Sequence, residues 1–254
     1  MPTLADYLAA NAIAGEVATP RESNLANIAG MLDDGLDDSF GLTRAPHWTV
    51  PSVLEVMVEK VGVNADIRYT TGQDTIDPML TVAALGRLGD RLGRAVQRRE
   101  RVLFATGHPV GLLAMHIDLA AALKARGCEV LRIGAGLGYV RADGMRRDIR
   151  YLAGVAMSAC DGNLEHTHRP DLMSLLLKAD VPRPDLVVAD HGWAGAAAEA
   201  GLPVVGFADC NDPALFVAEA EGRIEVVVPL DDSVAPHLYT PLADYVLNGA
   251  EIRS

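Results

Sequence analysis

Lysine and arginine are scarce in this chain, 22 against 34 aspartates and glutamates, for a formal net charge of −12 over 254 residues. That deficit argues against nucleic acid as a partner, because binding there depends on neutralising phosphates with basic side chains. The three cysteines, Cys128, Cys160 and Cys210, are odd in number and lack zinc-type spacing, which excludes a disulfide framework and leaves buried structural roles. No apolar run approaches the roughly 18 residues that span a bilayer. The first residues, "MPTLADYLAANAIAGEVATPRESN", are acidic and amphipathic instead of basic and then apolar. These absences predict a cytoplasmic protein with no membrane partner. Also missing are a G-x-G-x-x-G fingerprint after the first strand, a Walker loop and a G-x-S-x-G elbow, which removes the commonest dehydrogenase, kinase and hydrolase readings. No D-x-D-x-[TV] follows a strand, so an aspartyl-phosphate mechanism is not indicated.

What is present is an ordinary globular composition, 50% hydrophobic and 22% charged. Residues 1–100 read as helical. Leu4, Tyr7, Leu8 and Ile13 form one stripe, Asn24 to Leu32 and Val53 to Val61 form others, and Asp77-Pro78 opens a long helix with a cap and a first-position proline. No strand is expected there. From residue 101 to 254, short Val/Ile/Leu runs alternate with helices. Strands are predicted at Val102–Thr106, Glu129–Ile133, Leu186–Asp190, Val204–Phe207 and Ile224–Pro229, with helices at Pro109–Arg126, Leu172–Ala179, Trp193–Ala200, Pro213–Glu221 and Pro236–Leu247. Continuous apolar strands signal a sheet covered on both faces, so the fold class is α/β, a helical front followed by a doubly wound, mostly parallel Rossmann-like sheet. Residues 134–168 mix turn signals with an extra hairpin.

Sites in such sheets lie beyond the carboxyl ends of the strands. "ATGHP" (Ala105–Pro109) follows one strand, "ADHGW" another, "FADCNDP" a third and Leu230-Asp231-Asp232 the last. Thr106, Gly107 and His108 are read as an anion-holding loop at a helix start. Asp190 and Asp209 end strands without an evident capping duty, and with Asn211 and Asp212 they form an oxygen-donor set suited to Mg²⁺ or Mn²⁺. Asp212 before Pro213 reads equally well as a helix cap. His166 and His168, spaced i and i+2, project to one side of an extended segment, beside Arg169 as a phosphate grip; a polar loop with satisfied histidines explains them equally. Gln73 and Asp74 are placed along a cleft between the helical front and the sheet. His116 and His47 are read as structural.

Taken together, "GQDTIDP", "ATGHPVGLL", "LEHTHRP", "ADHGWAGAA" and "ADCNDPALF" resemble an actinobacterial protein family of about this length labelled "phosphatase", over nearly the whole chain. The architecture is also similar to the DUF89 (damage-control) metal-dependent phosphatases. The resemblance implies a hydrolase. The expectation is a divalent-metal phosphatase acting on a small phosphorylated metabolite, with Asp190, Asp209, His108, His166 and His168 catalytic. A homo-oligomer is compatible with it. The alternatives are a phosphate- or nucleotide-binding module without turnover, and a sugar-phosphate isomerase or lyase.

Overall fold

The run of valines and small residues after residue 100 builds a parallel sheet, because only strands buried on both faces can be apolar throughout. A computed structural model describes residues 2–249. The front comprises α1 (Leu4–Ala10), β1 (Gly15–Pro20), α2 (Arg21–Leu32), α3 (Leu36–Ser39), α4 (Val50–Lys60), β2 (Gln73–Ile76) and α5 (Pro78–Arg98). There follow β3 (Arg101–Thr106), α6 (Leu113–Ala125), β4 (Glu129–Val130), β5 (Gly138–Val140), β6 (Arg146–Leu152), β7 (Val155–Cys160) and β8 (Asn163–Leu164). The described residues close with α7 (Asp171–Lys178), β9 (Leu186–Asp190), α8 (His191–Glu199), β10 (Val204–Ala208), α9 (Pro213–Ala220), β11 (Val226–Pro229), a 3₁₀ turn (Pro236–Tyr239) and α10 (Thr240–Gly249).

The main sheet runs β11-β10-β9-β3-β7-β6-β5, with β4 also on β3 and β8 on β7. Strands β11, β10, β9, β3 and β7 are parallel; β5, β6 and β8 continue from β7 antiparallel, which is the extra hairpin expected within 134–168. The fold class is thus α/β with a mostly parallel sheet. Helix α5 begins as predicted, with Asp77 accepting from the Met79 N–H and Pro78 in the first turn. Its Leu85, Leu88 and Leu92 are fully buried and it packs on β11 and α10. Each such leucine contributes about 1.5–3 kcal/mol by leaving water. One hydrophobic cluster extends from Leu8 to Leu247, so the helical front and the sheet share a core. No helix among the described residues is long and apolar enough to cross a membrane.

Two expectations are corrected. The front does contain strands: β1 and β2 pair antiparallel although far apart in sequence, with Gly15 opposite Ile76 and Pro20 opposite Gln73. They are short, and "QDTI" is too brief to show a period of two. Pro109 does not open a helix. Residues 109–112 form a single turn, closed by the Leu112 N–H on the His108 carbonyl at 3.0 Å with the Gly111 N–H on the His108 ring, and α6 starts at Leu113.

Candidate functional site

The carboxyl ends of four neighbouring strands, β3, β9, β10 and β11, deliver Thr106-Gly107-His108, Asp190-His191, Asp209 and Asp231-Asp232 to one place. His191 turns the corner from β9 into α8 with φ +46°, a left-handed conformation that non-glycine residues adopt at a cost of about 1–3 kcal/mol. The turn aims its ring back over the strand ends. Asp190 Oδ1 lies 2.9 Å from His191 Nδ1 and Oδ2 lies 3.0 Å from His116 Nε2, while the Gly107 N–H donates to Oδ1 at 2.6 Å. Burial works against the Asp190 charge, yet the hydrogen bonds from His116 and His191 hold its carboxyl far below the usual range. Burial also opposes charge on His191, but the bond to Asp190 and the charges of Asp212, Asp190 and Asp232 raise it to about 10.

Four more carboxylates are buried alongside: Asp209, Asp212, Asp231 and Asp232, none more than 5% exposed. Asp209 accepts from Thr19 Oγ1 and from the Cys210 N–H, each at 2.5 Å. Asp231 accepts from the Ser233 and Ala18 N–H groups. Asp212 Oδ2 accepts from the Asp209 N–H at 3.0 Å. Burial, then the charges of Asp232 and Asp231, push Asp209 well above the ordinary carboxylate value. Asp212 is lifted to about 7 by burial and by Asp232 and Asp190, against the opposing pull of His191. Among the described residues no lysine or arginine is ion-paired with any of these four; their cationic neighbours are histidines, with His191 Nε2 3.4 Å from Asp232 and 3.9 Å from Asp212.

An extended strap after β8 lies over this floor. The Thr167 N–H bonds the Gly107 carbonyl at 2.9 Å, and the neighbouring positions His166 and His168 turn toward His191, with ring centroids 5.3 and 4.7 Å away. The strap comes so close that a Cβ on Gly192 would stand 2.4 Å from the His168 and Arg169 carbonyls. Burial, then the nearby His191 and His166, push His168 down to about 3; burial, then His191 and His108, lower His166 as well. His108 Nδ1 accepts the Gly111 N–H, which leaves Nε2 as the protonated nitrogen of the neutral ring, 3.7 Å from Asp232. Among the described residues three donor groups arise, each with atoms within 4.8 Å of one another: His166/His168/His191, His191/Asp212/Asp232 and Asp209/Asp231/Asp232.

The Phosphatase family profile matches residues 1–254. The chain belongs to the Phosphatase family. It is also 46% identical, over 98% of its length and 96% of the relative's, to the Phosphatase SCO2771 of Streptomyces coelicolor. Within this member of the Phosphatase family, the residues singled out from the sequence separate into those the fold brings together and those it does not. His108, His166, His168, Asp209 and Asp212 converge. Asp190 is adjacent, and β9 and β10 are neighbours as its pairing with Asp209 requires, but both Asp190 oxygens are taken by N–H groups and it stands outside all three donor groups. Asp212 does not cap α9; its side chain turns back to Asp209. Thr106 accepts the His108 N–H, and the N–H groups of Gly107, His108, Gly111 and Leu112 are all bonded within the fold, so the loop is not the open cradle of N–H groups expected for an anion. Asn211 is held by its carbonyl, which accepts from Asn27.

Arg169 places Nε 2.8 Å from Asp171 and lines a cleft of about 560 Å³ with Asp37, Tyr139, Arg141 and Arg147. Asp74 faces no cleft: it is fully buried against Arg21 at 2.8 Å and Asn24 at 2.6 Å, while Gln73 is exposed on β2. Asp231, Asp232 and His191 carry more of the site than the sequence alone assigned to them. The available signal was position, since His191 directly follows β9 and Asp231-Asp232 come within three residues of the end of β11. His116, read as structural, is buried and completes the Asp190 contact.

Proposed function

We propose that this protein is a divalent-metal-dependent phosphatase of small phosphate monoesters, with the cation held by Asp209, Asp231 and Asp232. One observation carries the reading: four carboxylates are buried together, and among the described residues histidine is their only cationic partner. Two unit charges 4 Å apart repel by about 4 kcal/mol at an effective dielectric of 20, so such a cluster calls for a counter-charge. Membership of the Phosphatase family supplies the reaction class. The donor set fits, since three carboxylates offer hard oxygen ligands for Mg²⁺ or Mn²⁺. When bound, the cation neutralises phosphoryl oxygens and lowers the pKa of a coordinated water.

The chain's own residues do the rest. Asp190, steadied by His116, fixes the orientation of His191, whose Nε2 faces Asp232 and Asp212. His108, with Nδ1 saturated by Gly111, presents Nε2–H as a hydrogen-bond donor to a phosphoryl oxygen and so stabilises charge there. The test is phosphate release from sugar phosphates, nucleotides and amino-alcohol phosphates, with and without chelator. Turnover should need Mg²⁺ or Mn²⁺, and full activity in metal-free buffer would refute the reading. His108→Ala should slow alkyl phosphate esters and p-nitrophenyl phosphate alike, by about 10²–10³-fold. A loss confined to the alkyl esters would remove this role.

A further inference from the structure

The carboxylate position uses none of the imidazoles of the strap, and these have a geometry of their own. His166, His168 and His191 bring one ring nitrogen each to within 4.8 Å of the others. Hydrogen bonding fixes this convergence. The Glu165 N–H bonds the Ser158 carbonyl at 3.0 Å and the Thr167 N–H bonds the Gly107 carbonyl at 2.9 Å, so the positions between and after them, 166 and 168, face the same side. One of the rings is oriented from behind, since His191 uses Nδ1 on Asp190. A carboxylate or backbone carbonyl behind the imidazole is the usual support of a metal-ligating histidine. His166 is exposed, which gives the group an entry path from solvent.

We propose that His166, His168 and His191 form a second cation position, linked to the carboxylate position through Asp232, and that it takes a borderline transition ion of the Zn²⁺ type. The proposal rests on the metal-dependent reading above and extends it from one ion to two unlike ones. Asp232 makes the link because it belongs to the Asp209/Asp231/Asp232 group and also lies 3.4 Å from His191 Nε2. A shared carboxylate is the element that sets two ions about 3.5–4 Å apart in two-metal phosphatases. Ligand type separates the ions: imidazole nitrogen favours Zn²⁺ and its neighbours, whereas carboxylate oxygen suits Mg²⁺ or Mn²⁺. The substrate class follows, since two adjacent dications accommodate a dianionic phosphate monoester across both.

The experiment strips the full-length protein with chelator, saturates it with Mg²⁺, adds Zn²⁺, and counts bound ions per chain by elemental analysis. In parallel, the stripped protein is loaded with Mn²⁺ alone for electron paramagnetic resonance. The parent should take one Zn²⁺ beyond its Mg²⁺, and two Mn²⁺ should give a spin-coupled spectrum. His166→Ala/His168→Ala should lose the Zn²⁺, keep the oxygen-bound ion, and show an uncoupled Mn²⁺ spectrum. Should the double variant melt far below the parent, His166→Gln alone, at an exposed position, is expected to weaken Zn²⁺ binding at least 10-fold. One ion in both parent and variant overturns the second position and leaves the phosphatase reading standing. Two ions in the double variant overturn it as well, and no ion in the parent overturns both.

Discussion

Replacing Gly107 by alanine puts a methyl group where the strap meets the strand ends. A Cβ built there lies 2.4 Å from the Thr167 carbonyl oxygen, 3.0 Å from His191 Cβ and 3.4 Å from Asp190 Oδ1. Gly107 is not in the left-handed region, so backbone preference is not at stake and the clash decides the outcome. For ordinary contact the carbonyl must recede by about 1 Å, and Thr167 cannot do so alone because its N–H is bonded to Gly107 itself. His166 and His168 therefore move with it. Overpacking of this kind costs about 1–3 kcal/mol, and in a chain of this size each kcal/mol lowers Tm by about 2–4 °C. A displacement near 1 Å in a positioned group costs about 100-fold in rate. We expect a folded variant melting a few degrees below the parent with kcat/KM for phosphate release down by about two orders of magnitude, measured by thermal melting and initial rates. Gly192→Ala, which meets the His168 and Arg169 carbonyls at 2.4 Å, should reproduce the pattern. Parental rates together with a parental melting curve in either variant would refute the placement of the strap over the site.

Asp209→Asn removes one charge from the cluster that Asp231 and Asp232 share; metal affinity and turnover should each fall at least about 100-fold, while Tm in chelator stays level or rises, and a large drop in Tm with normal metal titration would make Asp209 a structural residue. Asp74→Ala strands the fully buried Arg21 without its partner and should cost about 3–5 kcal/mol in denaturant unfolding with metal content per folded chain unchanged; a small loss would show that water solvates the arginine. Because Asp212 is raised to about 7 and His191 to about 10, the stability tied to their protonated forms is complete at low pH and is lost as pH climbs through those values. Tm of chelator-treated protein should thus fall from pH 5 to 10, and a Tm that rises over that range would contradict the burial of these groups.

The strand ends were legible because a parallel sheet leaves a plain signature, an apolar run that stops at a polar residue. Asp190, Asp209 and His108 could be placed at one edge on that ground alone. Their division of labour could not. Asp190 and Asp209 follow closely similar runs, "LVVA" and "VVGFA", yet Asp190 is taken by His116, which comes from α6 and lies 74 positions earlier in the chain. The same limit explains Asp212, where a proline next door suggested a cap while the side chain turned to Asp209. Strand β1 has no signature of its own in the sequence because its partner β2 is distant and its burial alternates irregularly where the register shifts. Asp74 looked available only because nothing in the sequence announces that Arg21 and Asn24 close over it.

The donors of the site, from His166 to Asp232, come from the strap and from the ends of three separate strands, and Thr19 reaches Asp209 across 190 residues. No fragment of the chain holds a complete set. The assembly must wait for the long-range pairings that are slowest to form, so an ion that binds it recognises only the finished fold. Such binding raises stability by mass action, in proportion to the logarithm of free ion over Kd. On the proposed metal dependence, ion supply would then govern how long the protein survives in the cell as well as how fast it works, with ion-starved chains the first to open and be degraded.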